Sequence, residues 1–132
     1  MNVVKRAAIR SVLASEKSIE LAYLFGSEAK GMSRPGSDVD IAILLNTYFF
    51  AEGRLDLRLK IAEKLNKLFG REIDVVILNT AGSLLKFQVV RDGKPVFERK
   101  KGVEKKFRLN SVKEYFDYLP IFNFHYERRK AA

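Results

Sequence analysis

The chain has no cysteine among its 132 residues. That excludes a disulfide framework and any thiolate metal site. It fits a reducing compartment, so a cytoplasmic location is expected. Long hydrophobic runs are also missing. No apolar stretch approaches the ~18 residues that a membrane span needs. Residues 1–10 carry Lys5, Arg6 and Arg10 without a long apolar segment, so no signal peptide is expected. Histidine occurs once, as His125 within Phe122-Asn123-Phe124-His125-Tyr126. A lone histidine among aromatics serves packing or surface more often than catalysis, and no role is assigned to it.

What is present suits a single soluble domain with one core. Hydrophobic residues make up 47% and charged residues 31%, proportions that a globular fold needs. Residues 1–132 are expected to form that one domain, with a core over 1–98 and a basic, aromatic extension over 99–132. The net charge of +9 is uneven: residues 1–90 contribute +3 and residues 91–132 contribute +6. Such an excess suits nucleic acid, an anionic small substrate or an acidic protein partner. For the stretch Arg99-Lys100-Lys101 and Lys105-Lys106, a solvated connector is favoured over nucleic-acid contact.

Periodicity supplies the elements. Val4, Ala7, Ala8 and Val12 recur near helical spacing and predict a helix over residues 3–14. Ile19 to Phe25 is short and almost continuously apolar, which predicts a buried central strand. One or two helical turns are expected over Glu28 to Lys30, then a loop through Gly31 to Ser37. Asp38 to Leu45 reads as a second strand. Leu57, Ile61, Leu65 and Leu68 line one stripe of a helix over Arg54 to Phe69, which Gly70 ends. Glu72 to Leu78 is a third strand and Ser83 to Val90 a helix. Lys94 to Glu98 is an edge strand, because Pro95 cannot donate to a ladder. Arg99 to Arg108 reads as a basic connector. Ser111 to Arg129 reads as a helix with a kink or break near Pro120. This order predicts an α/β (α+β) fold, a sheet flanked by helices. The connection between the first two strands is mostly loop, so an all-parallel sheet is not assumed.

The chemistry concentrates in three carboxylates. Side chains alternate faces along a strand, so Asp38 and Asp40 share one face of the second strand. Asp74 lies on the corresponding face of the third. Asp38 and Asp40 are spaced about 6.6 Å apart along the strand, which lets their carboxylates bridge cations about 3.5–4 Å apart. Oxygen donors of this kind suit Mg²⁺, and without a cation three close carboxylates repel one another. The rival reading is a strand with one solvated acidic end. It does not explain two acids on one face, a third on the matching face of another strand, and the turn before them. That turn is Gly26-Ser27, separated from Asp38 by ten residues. Glycine admits close backbone approach to a phosphate, and freed N–H groups with the Ser27 hydroxyl can bind its oxygens.

Leu24-Phe25-Gly26-Ser27 through Gly36-Ser37-Asp38-Val39-Asp40-Ile41-Ala42 resembles the signature of the polymerase-beta-like nucleotidyltransferases: GS, ten residues, DxD. The short chain is similar to the minimal nucleotidyltransferases, or MNT proteins. The resemblance covers roughly residues 1–98. It implies a mixed sheet, a site for two Mg²⁺ ions and nucleotidyl transfer from a triphosphate, ATP, to a hydroxyl. It assigns Gly26 and Ser27 to phosphate, Asp38 and Asp40 to the metals, and Asp74 to the third carboxylate beside the attacking hydroxyl. Lys30 stands where many members carry Arg, which keeps charge and gives up bidentate pairing. MNT proteins are commonly the antitoxin paired with a helical HEPN-family toxin and transfer AMP onto its tyrosine. That implies a HEPN partner and a catalytic antitoxin here. Rival expectations are an antitoxin that acts by binding alone, and transfer to a small molecule of the aminoglycoside kind.

Overall fold

A computed structural model describes residues 3–26, 39–46, 51–70 and 72–131. Four strands form one sheet in the order β3-β2-β1-β4. They are β1 (Ile19–Phe25), β2 (Val39–Leu45), β3 (Ile73–Ile77) and β4 (Lys94–Glu98). The sheet is mixed. β1 pairs antiparallel with β2 and with β4, while β2 and β3 run parallel. The expected central strand is β1, and Pro95 lies in β4 at the edge.

Helices cover both faces: α1 (Val3–Ala14), α2 (Arg54–Phe69), α3 (Ser83–Asp92) and α4 (Val103–Ala131). On one face, Ile9 and Leu13 of α1 join Leu57, Ile61 and Leu65 of α2 over Ala22, Leu24, Ile41, Ile43, Ile73 and Val75. On the other, Val89 of α3 and Phe107 of α4 pack with Leu21, Tyr23, Ala42 and Leu78. Alternation along β2 and β3 thus divides the side chains as the sequence predicts. The inward residues of α1 differ from expectation. Ile9 and Leu13, one turn apart, are fully buried, whereas Ala7 is exposed. The larger side chains remove more apolar surface from water, so they set the helix's rotation.

Polar side chains tie the ends of elements. Gly70 adopts a left-handed conformation (φ 68°) that stops α2. One turn earlier, Asn66 accepts a hydrogen bond from the Ile73 N–H at 2.7 Å, fixing where β3 starts. Asn79 both accepts from the Leu45 N–H (2.8 Å) and donates to the Leu45 carbonyl (2.9 Å), closing the end of β2.

The stretch expected to be a basic connector is mostly helix. α4 begins at Val103 and its backbone runs unbroken through Pro120 to Ala131, without the expected break. Val103 and Phe107, spaced i and i+4, pack on the sheet, and that burial outweighs the loop-like look of the lysines. Only four residues, 99–102, connect β4 to α4, and Arg99 is not merely solvated. Its guanidinium donates to the carbonyls of Ile19 (2.7 Å), Glu16 (2.9 Å) and Ala14 (3.4 Å).

Candidate active site

Topology brings Gly26, Asp40 and Asp74 to one end of the sheet. Because β1 and β2 are antiparallel, β1 finishes where β2 starts, and Phe25 pairs with Asp40. Because β2 and β3 are parallel, their first residues align, and Asp40 and Asp74 are direct cross-strand partners. Both acids alternate away from the face that α1 and α2 cover, as expected. Ser27 and Asp38 lie outside the described residues.

Gly26 has φ +82°, the left-handed region that favours glycine. A Cβ built there would overlap the Asp40 carboxylate Oδ2 and stand 3.3 Å from its Cγ. The absent side chain at position 26 therefore makes room for the Asp40 carboxylate itself. Sequence reasoning assigned this glycine to phosphate approach alone and missed its packing against Asp40, because strand pairing had to be known first.

The two acids differ in setting. Asp40 is half-buried. Asp74 is more open, with its side chain 58% exposed, and Arg58 of α2 lies 3.5 Å from its Oδ1. A pair this exposed contributes at most about 1 kcal/mol. Arg58 therefore orients the Asp74 carboxylate without locking it. Arg58 is the site residue that the sequence reading lacked: nothing local marks an arginine on α2 as the neighbour of an acid on β3.

Hard carboxylate oxygens on register-matched neighbouring strands, about 4.8 Å apart, suit a divalent cation such as Mg²⁺. Among the described residues, no group of three or more histidine or acidic side chains gathers at one point. A fuller ligand set calls on Asp38.

Behind the site, α4 is held to β1 by a short hydrogen bond, 2.5 Å, from the Tyr23 hydroxyl to Glu104 Oε2. Tyr23 is buried beside Ala42, two residues along the same face from Asp40. Burial, and then the bond to Glu104, push the Tyr23 phenol well above its ordinary value of 10.0. It stays neutral at physiological pH and props up the sheet end.

A glycine turn that ends one strand thus lies beside register-matched aspartates that open the next two, on a mixed sheet. Residues 7–102 match the family described as Polymerase beta, Nucleotidyltransferase, and the chain belongs to that family. It is 37% identical over 81 residues to the protein adenylyltransferase MntA of Shewanella oneidensis, a match covering 60% of this chain and 54% of that protein. The chain thus spans about half the length of that relative. It is 31% identical over 94 residues to a candidate protein adenylyltransferase of Methanocaldococcus jannaschii, covering 70% of this chain and 92% of that one. A crystal structure of a toxin–antitoxin complex with AMP-PNP superposes with a TM-score of 0.77 at 25% identity, covering 96% of this chain and 98% of the matched one. Among the described residues, no helix is long and apolar enough to cross a membrane.

Proposed function

We propose that this chain is a protein adenylyltransferase that moves AMP from ATP to a tyrosine hydroxyl on a HEPN-type toxin, acting as its antitoxin. The observation that carries the reading is the register match of Asp40 with Asp74, with Gly26 against the Asp40 carboxylate. The names of the relatives support the adenylyl group and a protein acceptor. The toxin–antitoxin complex with AMP-PNP supports the setting.

The roles follow from the sequence motif and the family likeness. The turn at Gly26 and Ser27 receives the triphosphate, with backbone N–H groups and the Ser27 hydroxyl donating to phosphate oxygens. Asp38, Asp40 and Asp74 would hold Mg²⁺, two ions by family likeness, and the bound metal would neutralise charge on the triphosphate. The acceptor oxygen attacks the α-phosphorus in line. A new P–O bond forms as the bond from the α-phosphorus to the oxygen bridging to the β-phosphate breaks, and pyrophosphate leaves. Asp74, the more open acid, takes the phenolic proton. Arg58, 3.5 Å from Asp74 Oδ1, helps to direct that carboxylate.

The test is to supply a HEPN-type toxin with Mg²⁺ and ATP labelled at either the α- or the γ-phosphate. Label from the α-position alone is expected on the partner. A partner that binds tightly and falls silent without label would instead favour neutralisation by binding. Label on an aminoglycoside and none on the protein would favour the small-molecule reading.

A further inference from the structure

The helix α2 carries more apolar residues than its packing uses. Leu57, Ile61 and Leu65 are buried against the sheet, and one stripe of this kind is all that a surface helix needs. Yet Leu55 and Leu59, one turn apart on a different side, are 61% and 58% exposed. They flank Arg58, the residue that pairs with Asp74. Together these side chains wall a groove of about 480 Å³ whose floor is Ile73, Asp74 and Val75 of β3. One groove thus holds two exposed leucines, a guanidinium and a carboxylate of the candidate site.

We infer that this groove docks the acceptor: a protein segment that seats apolar side chains on Leu55 and Leu59 and presents its hydroxyl to Asp74. The inference rests on the adenylyl-transfer reading and adds where the acceptor binds. Three observations select this occupant. The groove is lined in part by Asp74, so what lies in it lies beside that carboxylate. Its charges are mixed, with Glu63, Glu72 and Asp74 against Arg58. A polyanion such as nucleic acid is therefore disfavoured here, although the whole chain carries +9. A small polycation would satisfy the acids but leave both leucines wet, whereas a protein segment covers them and leaves charged groups at a polar rim. Arg58 acts as a positioning residue. Its weak, exposed pair with Asp74 is easily exchanged when the acceptor enters.

The experiment compares wild type, the double variant Leu55→Ser/Leu59→Ser, Arg58→Gln, and the control Leu109→Ser, which alters an exposed leucine on α4. Each is assayed for folding by circular dichroism, ATP affinity, affinity for a HEPN-type toxin, and steady-state AMP transfer. Because the leucines are exposed, the double variant is expected to fold. It should raise both the Kd and the KM for the partner about tenfold or more. Its kcat and its affinity for ATP should hold. Arg58→Gln should lower kcat with little change in the KM for the partner or in ATP affinity, a split that a merely structural residue would not give. Leu109→Ser should match wild type.

An unchanged partner Kd and KM in the double variant, with wild-type transfer normal, overturns the groove and leaves the reaction standing. Absent transfer in wild type, with partner affinity still lost in the double variant, overturns the reaction and leaves the docking surface. A wild-type dimer that the double variant converts to monomer, seen by light scattering, assigns the groove to a second copy of the chain and overturns the inference.

Discussion

At Gly26 two demands meet, and both are set by backbone geometry. Its positive φ costs an L-residue about 1–2 kcal/mol, and the Asp40 carboxylate fills the space that a Cβ would take. Gly26→Ala is therefore expected to lose about 1–2 kcal/mol of stability in urea titrations, and also to lose activity because Asp40 is displaced. Asp40→Asn keeps the volume and the fold and is expected to abolish transfer. Its thermal midpoint without Mg²⁺ should stay close to that of wild type, since the carboxamide fills the same space. Calorimetry with ATP and Mg²⁺ separates the two substitutions. The acids were legible in the sequence because alternation along a strand is a fixed geometric rule, which put Asp40 and Asp74 on matching faces before their pairing was known. Arg58 was not legible. Its nearness to Asp74 depends on how α2 sits on β3, and neither spacing nor composition encodes that.

Elements were read well where one side chain period dominated and less well where charge obscured it. The strands and α2 follow from apolar runs and a clean stripe. The start of α4 did not, because Lys100, Lys101, Lys105 and Lys106 hid the pair Val103 and Phe107 that anchors it. Two latches hold that region, and each can be tested. Arg99→Ala removes donors to three backbone carbonyls at the junction of α1 and β1 and should cost about 2 kcal/mol by denaturant titration. Tyr23→Phe removes the bond to Glu104 and should cost about 1 kcal/mol near neutral pH. Glu104 keeps its contact with Arg108, so no acid is stranded. The pH dependence has a definite sign. The folded-state phenol titrates above its unfolded value, so the folded chain holds the proton after the unfolded chain has released it. The contribution of Tyr23 is therefore fully present below pH ~10 and declines as pH rises above it. Stability curves of wild type and Tyr23→Phe should converge on the alkaline side and run parallel below it. Parallel curves throughout would show that the buried phenol is not titrating as this geometry requires.

Across the whole molecule, a four-stranded mixed sheet between two pairs of helices gathers the starts of β2 and β3 and the end of β1 at one rim. The basic excess lies largely elsewhere, beyond residue 90. The fold class was legible because buried strands and amphipathic helices alternate along the chain. The acceptor side was not, since exposed leucines on α2 become meaningful only once the helix is set beside Asp74. The central claim, that this rim transfers AMP to a protein, is tested most directly by the intact mass of a HEPN-type toxin after incubation with this chain, ATP and Mg²⁺. The expected result is a mass gain of one or more AMP units, mapped to tyrosine, that disappears with Asp40→Asn or when Mg²⁺ is omitted. An unmodified partner, or a gain that persists with Asp40→Asn, would contradict it.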